Sequence, residues 1–140
     1  MATARAEVER TLPHPPERVA ALAADPGRFD AWVEPLNRLV PLGDGTYLAD
    51  IGYFGQPNEH RMRAIAGTEV GLEALDREAV LRWTVSLAGE GDRTRVRLVY
   101  EKGGSGTVFG ASTESPLFAI SIEVLAERSL ERLGRALEVG

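Results

Sequence analysis

Two histidines, one carboxylate set among apolar residues and one arginine on an apolar strand face are the groups here equipped for chemistry. His60 comes first, because histidine alone changes charge near neutrality unaided. It stands in an alternating stretch, in phase with Met62. If that face looks inward, His60 could serve as a general base or a ligand anchor. The other reading is an ordinary hydrogen-bonded histidine at a strand end, beside the turn Gln56-Pro57-Asn58. His14 lies among prolines and reads as a surface residue. Asp50 shares a face with Leu48 and Phe54, and a carboxylate held among apolar groups is driven towards its neutral form and can act as an acid. The alternative is that Asp50 points outward while Tyr47, Ala49, Ile51 and Tyr53 form the inner face. Arg10 offers a bidentate fork to a ligand carboxylate or phosphate, or else a structural ion pair to a glutamate on a neighbouring strand.

A larger set of soft and aromatic groups surrounds these candidates: Trp32, Tyr47, Tyr53, Met62, Trp83, Tyr100 and Phe118. Together they could wall an apolar pocket and stack on a flat ligand, with the tyrosine hydroxyls fixing its orientation. Plain core packing is the competing explanation for each. The stretch Gly103-Gly104-Ser105-Gly106 is not a phosphate loop, since it lacks the Lys-Ser/Thr ending. It reads as a gate with Phe109 as a plug, or as a simple connector. With two distant histidines and no cysteine, no metal site is expected, and no cofactor motif is present. No Ser/His/Asp arrangement stands in a recognisable local context.

Composition narrows the classes. The chain has 140 residues, is 44% hydrophobic and carries a net charge of −5. That suits one domain spanning 1–140 with a real core, and argues against nucleic acid as a partner, which would call for a basic stripe. No apolar run approaches a membrane span and no signal-peptide core opens the chain, so a soluble cytoplasmic protein is the expectation. Lys102 is the single lysine; the remaining basic residues are arginine, and the abundance of Ala and Gly reads as bacterial.

The elements that must position these groups follow from periodicity. Thr3 to Leu12 alternates as a half-buried strand, with Ala4, Ala6, Val8, Arg10 and Leu12 on one face. Pro13 to Pro16 stops it, and short helices are expected over Glu17–Ala24 and Pro26–Trp32, the second capped by Asp25. Strands are expected over Leu36–Leu42, Thr46–Phe54, Glu59–Ala66, Val70–Leu75, Val80–Leu87 and Arg93–Glu101, separated by Gly- and Asp-rich turns. Ser115-Pro116 opens a long amphipathic helix to about Val139, with Phe118, Ile122, Leu125, Ser129, Leu133 and Leu137 on one face. Hairpin strands with helices gathered on one side make an α+β fold: an antiparallel sheet of about six or seven strands curved around the last helix.

This pattern resembles the START-like helix-grip superfamily, in its SRPBCC branch of polyketide cyclase/dehydrase and lipid-transport proteins. The carrying residues are Glu9-Arg10-Thr11-Leu12, Pro16-Glu17-Arg18-Val19, Asp25-Pro26, Trp32, Asp92-Arg93-Thr94-Arg95-Val96 and the terminal helix. The hairpins between Asn58 and Leu87 read shorter than the family's. The resemblance implies a cavity between sheet and terminal helix that holds a lipid, polyketide or other hydrophobic or aromatic small molecule. Catalytic residues differ between members, so it assigns none here. Three functions are thereby expected in order: a small-molecule binder, a cyclase/dehydrase-type enzyme using His60, Asp50 or a tyrosine, and a protein-interaction module like the co-chaperone relatives. The protein would act as a monomer or homodimer.

Overall fold

A computed structural model describes residues 3–34, 36–51, 59–75, 79–104, 107–108, 111–112 and 116–139. The first strand, β1 (Thr3–Leu12), is followed by helix α1 (Pro16–Ala23) and a 3-10 helix (Pro26–Ala31). Pro16 starts α1 at the position where a missing N–H costs nothing. Asp25 caps the 3-10 helix, its side chain accepting from the Gly27 N–H at 3.0 Å, as its type and place in the sequence suggest. Strands β2 (Leu36–Gly43), β3 (Thr46–Ile51), β4 (Glu59–Ile65), β5 (Val70–Ala74), β6 (Ala79–Glu90) and β7 (Arg93–Gly104) follow. After them come a small hairpin, β8 (Thr107–Val108) with β9 (Ala111–Ser112), and the long helix α2 (Pro116–Val139).

Seven strands form one antiparallel sheet in the order β1-β7-β6-β5-β4-β3-β2. Only β1 is displaced from chain order; it pairs with β7, with Ala6 opposite Tyr100 and Leu12 opposite Thr94. The β2–β3 hairpin turns on Asp44-Gly45, at φ 53° and 74°, the left-handed pair that a two-residue hairpin turn requires. Gly71 has a different reason to be glycine: a Cβ there would stand 1.9 Å from the Trp83 carbonyl oxygen, inside the β5–β6 pair. The expected α+β architecture is therefore present, with strand and helix boundaries shifted by a few residues. Two segments depart further. The β6–β7 hairpin is longer, because its strands continue to Glu90 and resume at Arg93 around Gly91-Asp92. Strand β7 also runs past Glu101 to Gly104, where a connector was expected.

The sheet is curved, and its inner face and α2 share one core. Ile122, Leu125, Ser129, Leu133 and Leu137 are all buried, as the helical spacing requires, together with Ala126 and Leu130. Helix α2 packs on β1, β7, α1 and the 3-10 helix. Arg18 donates from α1 to the Leu137 carbonyl, capping an orphan acceptor in the last turn of α2. The outer face of β1 and β7 is a ladder of charge: Arg5 meets Glu7 at 3.0 Å and Arg95 meets Glu9 at 3.3 Å. Arg97 there holds the Glu7 carboxyl below the usual carboxylate range, its hydrogen bond outweighing desolvation.

Candidate functional site

Period two decides which side chains enter the interior. Residues opposite one another across an antiparallel pair share a face, so the pairings trace rows across the sheet. Ala6, Tyr100, Trp83, Leu72 and Ala64 form one row, from β1 to β4. Lys102 and Leu81 lie in the next, with Met62 and Ala74 paired further along. Tyr47 stands opposite Met62, and Ala49 lies between Leu39 and His60. Trp83, Tyr100, Met62, Leu72 and Lys102 are all wholly buried.

The 3-10 helix closes over this face, bringing Phe29 and Trp32 into it. Phe29 stands between the two indoles, edge-on to Trp32 at 5.8 Å and to Trp83 at 6.1 Å between ring centroids. Trp83 lies 5.7 Å from Tyr100, and Lys102 Nζ lies 5.3 Å from the centroid of the Tyr100 ring. Aromatic edges and faces at these separations attract one another beyond the area they bury. The cluster is thus a continuous aromatic wall that ends in an amine.

Its polar atoms are unevenly served. The Tyr100 hydroxyl donates to the Glu34 carbonyl at 3.3 Å. Ser129 of α2 accepts from the Glu34 N–H at 2.8 Å and donates to the Leu125 carbonyl at 2.8 Å. This seam ties helix, loop and sheet together. By contrast, the indole N–H groups of Trp32 and Trp83 are buried and have no hydrogen-bond partner among the described residues. A buried polar group without a partner is an exception that asks for a reason, and an absent water or ligand is one. Burial pushes the Lys102 ammonium pKa down to about 6, the neighbouring ring notwithstanding.

The residues singled out by sequence divide three ways. Trp32, Met62, Trp83 and Tyr100 come together in the buried cluster, and Tyr47 packs half-buried against its edge. His60 is on the inner face with Met62, half-buried. Asp50 is not: it is one residue from inward Ala49, so it faces the other side, where it lines a small pocket with Arg38, Val40, Leu48 and Glu59. Arg10 has inward parity but lies exposed at the free side of β1, beside α2. It makes no ion pair among the described residues. His14 is half-buried and lines an open groove with Arg10 and Gly134, its carbonyl accepting from the Thr94 hydroxyl at 2.9 Å. Tyr53, Phe109, Ser115 and the Phe118 side chain lie outside the described residues.

Lys102 was not among the candidates. Its signal was present: Thr94, Val96, Leu98 and Tyr100 alternate inward, and the next position of that parity is Lys102. Reading Gly103-Gly104 as a connector ended the strand at Glu101, one residue before Lys102 and three before its end at Gly104. Among the described residues no group of three or more His, Asp or Glu side chains is placed to hold a metal. None of the helices there is long and apolar enough to cross a membrane.

No family model matches the sequence, and no curated protein does. Solved structures do match. A START superfamily protein from Mycobacterium smegmatis superposes with a TM-score of 0.68 at 15% identity, covering 96% of this chain and 94% of that one. The Zhui aromatase/cyclase of Streptomyces sp. R1128 gives 0.66 at 15% identity, covering 96% and 91%. A protein from Thermus thermophilus gives 0.66 at 20% identity, covering 96% and 94%. With the sheet order, the buried inner face and the long closing helix already in view, these likenesses identify the architecture: the chain has the START-like helix-grip fold.

Proposed function

We propose that this chain binds a hydrophobic or aromatic small molecule bearing oxygen acceptors, of lipid or polyketide type, between the inner face of the sheet and α2. The observation that carries this reading is the pair of buried indole N–H groups of Trp32 and Trp83, without a hydrogen-bond partner among the described residues, within one aromatic cluster. Such donors ask for an acceptor, and an oxygenated aromatic ligand supplies one while stacking on the wall around it. That one structural neighbour is an aromatase/cyclase is consistent with a flat, oxygen-rich ligand. Binding of this kind suits a cytoplasmic protein of one domain, as monomer or homodimer.

A second reading is favoured by one observation. His60 and Lys102 both stand on the inner face, near the start of β4 and the end of β7. Those two strands run antiparallel, so the residues are at the same end of the sheet, three strand spacings across and two residues along from one another, about 16 Å apart when measured flat. Two nitrogen bases facing one interior could act on a bound substrate, as a cyclase/dehydrase-type enzyme would need. Asp50 takes no part in it.

Native mass spectrometry of freshly purified protein, joined to a thermal-shift screen of flavonoids, aromatic polyketides and fatty acids, tests the proposal. Stabilisation by one oxygenated class, weakened in Trp83→Phe, is expected. No retained ligand and no stabilisation by any class would overturn it.

A further inference from the structure

The two edges of the sheet are not alike. At one edge β2 carries Pro41, which has no N–H to offer, and its register slips between Leu36 and Arg38 and again between Pro41 and Gly43. Proline and bulges keep an edge from pairing with another chain. At the other edge β1 has neither: its ten residues, Thr3–Leu12, pair with β7 in unbroken register. No strand among the described residues pairs its other side. Alternate residues there point backbone N–H and C=O groups away from the sheet.

That edge borders an open groove. Cavities of 370 and 380 Å³ lie end to end between β1 and α2 and share Arg10. The first lies against Glu123 and Glu127, the second against Glu131 and Glu138, so helix and strand run side by side in one direction. Glu123 to Glu138 covers about 22 Å of helix, room for about seven extended residues. These four carboxylates and Arg10 are exposed, and no ion pair engages them among the described residues. The outer-face charges of β1 differ, since Arg97 holds Glu7 and Arg95 holds Glu9. Along the groove the charge therefore alternates: negative at Glu123 and Glu127, positive at Arg10, negative again at Glu131 and Glu138. Arg135 lines the second half and leaves it less negative than the first.

We propose that β1 receives an extended segment of another protein as an added strand, whose side chains facing α2 run basic, acidic, basic. Main-chain hydrogen bonds to β1 supply the affinity, and the charges of the groove select the sequence. The acidic residue lies opposite Arg10 and the basic ones reach the carboxylates on either side, as opposite charges do across a strand pair. A second copy is the poorer occupant. Paired through β1 about a twofold axis, it would bring its own acidic flank of α2 to the same side, like charge against like. This interaction is separate from the small-molecule reading, which concerns the interior.

The probe is Ac-Thr-Lys-Val-Glu-Val-Lys-Thr-NH2, which reads the same in both directions and carries lysine, glutamate and lysine on one face of a strand. Calorimetry gives its affinity, and amide hydrogen exchange locates it. Saturable binding is expected, with exchange slowed in residues 3–12. The charge-reversed peptide, with Glu-Lys-Glu on that face, should bind at least about tenfold more weakly. Arg10→Glu, a change at an exposed position, should weaken the probe about tenfold and favour a peptide with lysine at all three places. Glu127→Lys should weaken the probe as well, and tests the groove with β1 intact. Equal binding of the two peptides, binding that leaves β1 exchange unchanged, or no binding would refute the added strand and leave the small-molecule reading standing. Slow β1 exchange in the free protein, with sedimentation shifting to a dimer as concentration rises, would give the edge to a second copy and overturn the proposal.

Discussion

The inner face of β7 has two ends, and they are built on opposite terms. At one end Thr94, Val96 and Leu98 meet Leu12, α1 and the last turns of α2, and the polar groups there are satisfied. Thr94 donates to the His14 carbonyl and Arg18 to that of Leu137. At the other end Tyr100 and Lys102 continue the same face into the aromatic cluster, where two indole donors have no partner among the described residues and an amine is desolvated. One strand, with one parity, thus serves two tasks. The first end is made for stability; the second gives up stability and gains groups that a ligand can use. A fold only marginally stable overall does not hold such groups without cost.

The largest expected effect comes from removing that cost. Lys102→Met should stabilise the protein by up to about 4 kcal/mol at pH 7, from the distance between the ordinary lysine pKa and its value here. The sign follows from proton binding. The folded pKa is depressed, so between about pH 6 and 10 the unfolded chain binds the extra proton, and wild-type stability rises with pH across that window. Urea unfolding at several pH values checks this; the methionine variant should lose that slope.

At the stable end the direction reverses. Leu133→Ala removes a fully buried side chain from α2 and should cost about 3 kcal/mol by urea unfolding, without altering ligand binding. Ser129→Ala, at the boundary between the ends, leaves the Glu34 N–H without its acceptor and should cost about 2 kcal/mol. If it also weakens ligand binding, the seam positions the site as well as the helix. Trp83→Phe is the smallest change in stability, within about 1 kcal/mol, because the donor it deletes has no partner among the described residues. Its affinity for an oxygenated aromatic should nonetheless fall about tenfold, the worth of one hydrogen bond.

Much of this contrast can be read in the amino-acid order. The alternation of β1, β6 and β7 and the 3.6-residue stripe of α2 place the core residues of those elements, because each has one wet and one dry face. Asp50 shows the rule at its sharpest: next to inward Ala49, it had to face the other way. The aromatic groups were recognisable as interior by type and phase, though their mutual arrangement was not, since Phe29 and Trp32 reach Trp83 only through the fold of the 3-10 helix. Arg10 keeps its inward parity yet lies exposed, because parity says nothing about position in a sheet and β1 is an edge strand beside a helix that leaves that arginine uncovered. Lys102 was hidden by chemistry: a lysine before two glycines looks like the start of a loop, and only the extra length of β7 carries it inside.

The most direct test of the ligand-ready end follows its two indoles. The chain has two tryptophans, and both stand in the cluster, so the side-chain N–H region of a proton–nitrogen correlation spectrum holds two resonances. Titration with a flavonoid such as naringenin should move the Trp83 resonance saturably, towards the position of a hydrogen-bonded donor, with Trp32 following. Indole signals that stay fixed while the amides of Arg10 and Gly134 shift would put the ligand in the outer groove between β1 and α2, and would contradict the account.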